Sequence, residues 1–155
     1  MVDRSQADEA RGRPAAENEQ ALRDAARDGQ NAEVRVLLAA GTDPDAAVGN
    51  GQTALLWAAA NDHEKAVRAL AEGGADLDKA EEDGVTPLMK AAVNGHSGVV
   101  RRLLELGADH TPVGTKYDWM GKTALEVAEE KGKREAAAVL REWASHAGPA
   151  STDDV

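Results

Sequence analysis

The sequence predicts an all-α solenoid of four helix-turn-helix units joined by hairpin loops. Two observations carry this. The first is self-similarity. Shifted by 33 residues, Gly51, Thr53, Leu55, Ala58 and Ala59 fall on Gly84, Thr86, Leu88, Ala91 and Ala92. In the second half of the unit His63, Val67, Leu70, Gly74, Ala75 and Asp76 fall on His96, Val100, Leu103, Gly107, Ala108 and Asp109, and a fixed period of this length is the signature of a repeat array. The second observation is composition. Phe is absent, Tyr occurs once and aromatics reach only 3%, so Ala, Leu and Val must fill the interior, which favours closely packed helices over sheets.

Taken in order, residues 1–18 carry no apolar helical stripe and are expected to be a disordered tail, with room for a short helical turn around 15–20. The repeat domain spans 19–144 in units of about 19–47, 48–80, 81–113 and 118–144. The first unit is a loose copy (Leu22, Ala25, Ala26, Val34, Leu37, Gly41, Asp43) with Asn18 and Gln20 where Gly and Thr would stand. It should lack a leading hairpin and act as the N-terminal cap. Inner helices are predicted near 20–28, 54–61, 87–94 and 124–131, and outer helices near 31–40, 64–72, 97–106 and 134–144. Toward the fourth unit the shift becomes 37, matching Gly121, Thr123, Leu125, Ala128, Gly132 and Leu140, so four residues are inserted between Asp109 and Gly121. Glu129 and Arg141 stand where Ala92 and Leu104 would receive a following unit, which is how an array ends. Residues 145–155 are expected to be a second disordered tail.

The physics of a unit is legible in residues 84–109. Thr86 caps a helix through its hydroxyl, and Pro87 sits in the first turn, where a missing N–H costs nothing. Leu88, Ala91 and Ala92 share one face, the alanines admitting a close neighbour. Gly95 ends this helix. The next buries Val99, Val100, Leu103 and Leu104, with Gly107 as its left-handed terminus. Asn50-Gly51 and Asp83-Gly84 suit hairpin turns between units.

These residues resemble the ankyrin repeat, whose pattern G-x-T-P-L-x-x-A-A-x-x-G-H then V-x-x-L-L-x-x-G-A-D is met nearly in full by residues 84–109. Besides the degenerate first and last units, the resemblance departs where the family has His after Thr-Pro-Leu: this chain has Leu56, Met89 and Glu126 there, so the family's buried imidazole network is missing. What the resemblance implies is a protein-binding module using hairpin tips and exposed residues of the concave inner helices. By position these are Asn50, Gln52 and Asn61 in the second unit, Glu82, Asp83, Val85, Val93 and Asn94 in the third, and Met120 and Lys122 in the fourth. Trp57 and Met89 add apolar area to the same face, and Tyr117 and Trp119 lie in the lengthened third hairpin, so both sets enter the candidate surface. Packing against neighbouring helices is the competing explanation for each aromatic; for Trp143 it is the expected one.

A net charge of -10 sets a repulsive mean field against nucleic acid and anionic membranes, so the expected partner is a protein with a basic or apolar surface, met by a free monomer. With no cysteine, no apolar leader and no spanning stretch, a cytoplasmic location is expected, the nucleus left open. No cofactor, metal site or catalytic residue is expected: His63, His96, His110 and His146 lack ligand spacing, and Glu81-Glu82-Asp83 and the basic clusters around Arg101 and Lys133 read as solvated surface. An enzyme finds no support in the motifs. The remaining alternatives are a structural subunit of a larger assembly and an engineered ankyrin binder; scaffold, inhibitor and stabiliser are equally open as roles.

Overall fold

A computed structural model describes residues 4–146. It contains α1 (Arg4–Arg11), α2 (Ala15–Asp28), α3 (Asn31–Ala39), α4 (Ala54–Ala60), α5 (Glu64–Glu72), α6 (Pro87–Val93), α7 (Ser97–Leu106), a 3-10 turn (Tyr117–Trp119), α8 (Ala124–Glu130) and α9 (Arg134–His146). Helices α2, α4, α6 and α8 pack in sequence as one layer, and α3, α5, α7 and α9 as the other. From α4 onward each inner helix has 7 residues, against 9, 10 and 13 in α5, α7 and α9. Among the described residues the only extended pairing is two isolated bridges, Val48 with Gln52 and Gly114 with Met120.

The caps form as their sequences require. Thr53, Thr86 and Thr123 each accept the N–H three residues on at 3.2 Å. At Thr123 the Glu126 carboxylate returns the bond to the Thr123 N–H at 2.9 Å, closing a capping box. Between the layers Ala58, Ala59, Ala91, Ala92 and Ala128 are fully buried, so adjacent inner helices meet over methyl groups, and Leu55, Leu70, Leu88, Leu103 and Leu140 fill the space between layers.

Neighbouring units are also tied by polar links that recur with the period. The Asp76 N–H donates to Asp45 Oδ1 at 2.8 Å, and the Asp109 N–H to Asp78 Oδ1 at 2.9 Å. Within each loop Asp43, Asp76 and Asp109 accept the N–H two residues later, all at 2.9 Å. The aspartates at the Gly-x-Asp ends and those two residues beyond them, Asp45 and Asp78, therefore form a ladder along the stack. Two opposite shifts follow. Burial, then the neighbouring Asp109 and Asp76 charges, push the Asp78 carboxyl up despite its bond from Asp109, whereas the two bonds from Thr111 hold Asp109 down.

The expectation of disorder over residues 1–18 is corrected. Residues 1–3 lie outside the described residues, but α1 is a helix whose Ala7 and Ala10 are buried, and it packs on α3. Asn18 Nδ2 donates to the Ala10 carbonyl at 2.7 Å and the Arg11 guanidinium to the Ala39 carbonyl at 2.8 Å. Helix α1 occupies the outer-layer place of a preceding unit, and its apolar stripe is only alanine, too faint to separate from a polar tail. At the other end Ser145 and His146 belong to α9; 147–155 lie outside the described residues.

Candidate functional site

The hairpins between units form a row beside the inner helices. In the first, the Val48 N–H donates to the Gln52 carbonyl at 3.0 Å. In the second, the Glu81 N–H donates to the Val85 carbonyl at 3.0 Å, and Asp83 Oδ1 accepts the Val85 N–H at 3.2 Å. One backbone bond joins each finger to the next: Glu82 N–H to the Asn50 carbonyl at 2.8 Å, and Thr115 N–H to the Asp83 carbonyl at 2.7 Å. The row needs glycine at its crossings. Gly51 has φ 97° and Gly84 φ 81°, and a Cβ on Gly84 would meet the Thr115 nitrogen at 3.0 Å.

Most of the expected surface residues are where the repeat alignment places them. Asn50, Asn61, Glu82 and Asn94 are exposed, and Gln52, Trp57, Asp83, Val93 and Lys122 are half-buried. At the ends of the inner helices Asn61 Nδ2 donates to the Trp57 carbonyl at 2.9 Å and Asn94 Nδ2 to the Ala60 carbonyl at 3.1 Å. These bonds hold both amides beside the inner helix ends. The Lys122 ammonium contacts both oxygens of Glu130, at 2.8 and 3.0 Å, and keeps that carboxyl below its usual range.

Two of the expected residues are withdrawn from the surface. Met89 and Val85 are each 0% exposed. At the position of Met89, Leu56 is buried as well while Glu126 is exposed. This position therefore faces the following unit, and only the last unit leaves it open. Val85 is the return strand of the second finger, held by its pairing with Glu81, with its side chain in the core. The lengthened third hairpin divides its aromatics. Trp119 packs against the core, close enough to Gly114 that a Cβ there would lie 2.3 Å from the Trp119 Cβ. Tyr117, in a left-handed conformation at φ 54°, is 81% exposed, and Met120 is 62% exposed. Trp143 packs on the core as expected.

Sequence reading missed a pair on this face. Glu81, with a side chain only 8% exposed, lies 3.3 Å from the Lys90 ammonium, an ion pair without hydrogen-bond geometry. Shifted by 33, its two positions become Val48 and Trp57. An ion pair in one unit is replaced by two apolar residues in the other, a signal available in the alignment had both positions been read together.

His63 and His96 pack between units. The His63 ring sits over Gly29, where a Cβ would lie 2.6 Å from Nδ1, and His96 Nε2 is 3.0 Å from the Ala60 carbonyl. Each begins an outer helix and leans on the preceding unit. Lys133, at the same position of the fourth unit, lays its stem on Gly95. Among the described residues no three His, Asp or Glu side chains are grouped so as to hold a metal ion, and no helix is long and apolar enough to cross a membrane.

A sequence comparison with curated proteins finds no match. A family model described as ankyrin repeats (3 copies) matches residues 22–113, more than half of the chain. Ankyrin repeats mediate protein–protein interaction and are typically not enzymes. With this match, the 33-residue period, the Thr-capped inner helices and the hairpin row, the chain belongs to the ankyrin-repeat family.

Proposed function

We propose that this stack binds one partner protein through its concave inner-helix face and the adjoining hairpin row, acting on that partner as inhibitor, scaffold or stabiliser. The observation that carries the reading is Trp57. It is a half-buried aromatic on an inner helix, whereas Trp119 and Trp143 pack against the core, and a rigid aromatic of this kind is a favoured anchor. Beside it lie Val93, Asn61 and Asn94, and the row adds Asn50, Gln52, Glu82, Asp83, Tyr117, Met120 and Lys122. The partner's surface is basic or apolar, since the chain carries -10.

Titration of a purified partner tests the assignment. Trp57→Ala should weaken binding by about 2 kcal/mol or more with the fold retained. Arg68→Ala combined with Arg101→Ala, both exposed on outer helices, should leave it unchanged. If the arginine pair abolishes binding while Trp57→Ala binds normally, the outer face is the interface.

A further inference from the structure

Resting on the interaction reading above, we infer that the open end of the hairpin row takes an extended basic and apolar segment of the partner, whose backbone continues the row at Met120. The row itself defines the contact. Asn50 and Asp83, each immediately before the hairpin glycine, offer a carbonyl to an N–H of the next finger. Met120 stands at the same place before Gly121, and among the described residues its carbonyl accepts no hydrogen bond. An extended chain supplies the N–H that a further finger would have supplied, which is strand addition in its smallest form.

The side chains around this edge differ from those of the earlier tips. Where the second finger presents Glu82 and Asp83, the third presents Tyr117 and Met120, with Val113 43% exposed beside them. An aromatic and a thioether side by side in water are apolar area that a partner's alternate side chains cover. Charge decides the rest of the segment. Lys122 and Glu130 already satisfy one another. Among the described residues Glu82, Asp83 and Asp118 have no ion-pair partner, against one ammonium, Lys116. The excess is negative, so basic residues are attracted to the edge and a cation can lie over the Tyr117 ring.

The test uses the full chain, labelled for NMR, and a nine-residue peptide alternating lysine with valine. Bound as inferred, the peptide shifts the Gly121 amide, which shares a peptide bond with the Met120 carbonyl. Tyr117→Ala with Met120→Ala should weaken it by about tenfold or more, and Arg68→Ala on the outer layer should not change it. A peptide N-methylated at alternate backbone nitrogens, or one with glutamate in place of lysine, should bind at least about tenfold worse. The inference fails if Gly121 is unmoved at about 1 mM peptide, the weak end of measurable affinity, or if the N-methylated peptide or the glutamate peptide binds as well. It also fails if the shifts centre on Trp57 and Asn94. None of these results touches the Trp57 titration with the natural partner, so the two readings fail separately.

Discussion

The second and third units are the closest to copies of one another in the chain, and they differ where a partner would see them. At equivalent places Leu55 and Leu88, Leu70 and Leu103, Ala58 and Ala91 are identical and buried. The inner-face position instead holds Trp57 in one and Lys90 in the other, the latter tied to Glu81. The turn between helices holds Asp62 at φ 65° in one and Gly95 at φ 74° in the other. The lesson is that stacking constrains one side of each helix and leaves the other to vary, so the repeat separates stability from recognition within a single helix of 7 residues.

Four experiments press on this comparison. The largest effect is in the shared core: Leu70→Ala and Leu103→Ala should each cost about 2–5 kcal/mol in urea denaturation, with similar values for both. A loss at one site only would break the equivalence of the two units. The turn comes next. Gly95→Ala places a Cβ in a left-handed residue and 3.0 Å from the Lys133 stem, which should cost about 1–2 kcal/mol, whereas Asp62→Gly removes that strain and should raise stability by roughly 0.5 kcal/mol. Thermal melts that move the other way would show the turn to be set by side chains rather than φ.

Smaller still is the exchange of the inner-face pair. Val48→Glu with Trp57→Lys rebuilds the third unit's ion pair in the second and should change stability by less than about 1 kcal/mol, while weakening partner binding as Trp57→Ala does. The smallest effect lies in the aspartate ladder. Folding raises the Asp78 carboxyl above its ordinary pKa, so its charge costs stability above the folded pKa, and the cost disappears as pH falls below the unfolded value near ~3.9. Asp78→Asn keeps an acceptor for the Asp109 N–H, and at neutral pH should stabilise within ~0.5 kcal/mol. The gain should vanish in acid. Asp109 has the opposite sign: its lowered carboxyl contributes above the ordinary value and loses that contribution as pH falls through the folded pKa. A gain from Asp78→Asn that grows toward low pH would contradict the upward shift of Asp78.

How much was legible follows the same division. The eight repeat helices were readable because Thr caps, alanine pairs and leucines recur at fixed offsets, and each offset has a local physical cause. Helix α1 was not, because Ala7 and Ala10 gain their burial only from α3, far along the chain. Met89 and Trp57 were read alike as inner-face apolar residues, since helical periodicity assigns a side but not which side a neighbouring helix covers. Glu81 read as a solvated loop, and its burial beside Lys90 exists only once the second finger lies on α6.

By itself, then, the sequence determined the period, the caps, the glycine turns and the leucine and alanine core, all of which act over a few residues or repeat unchanged. Tertiary structure alone decided which face of each inner helix meets the next unit, that the inserted hairpin turns Trp119 inward and Tyr117 outward, and that among the described residues no further finger donates to the Met120 carbonyl. The reason is that burial and backbone pairing at these places depend on contacts between units, and a contact between units is set by the stacking of whole helices rather than by any local run of residues.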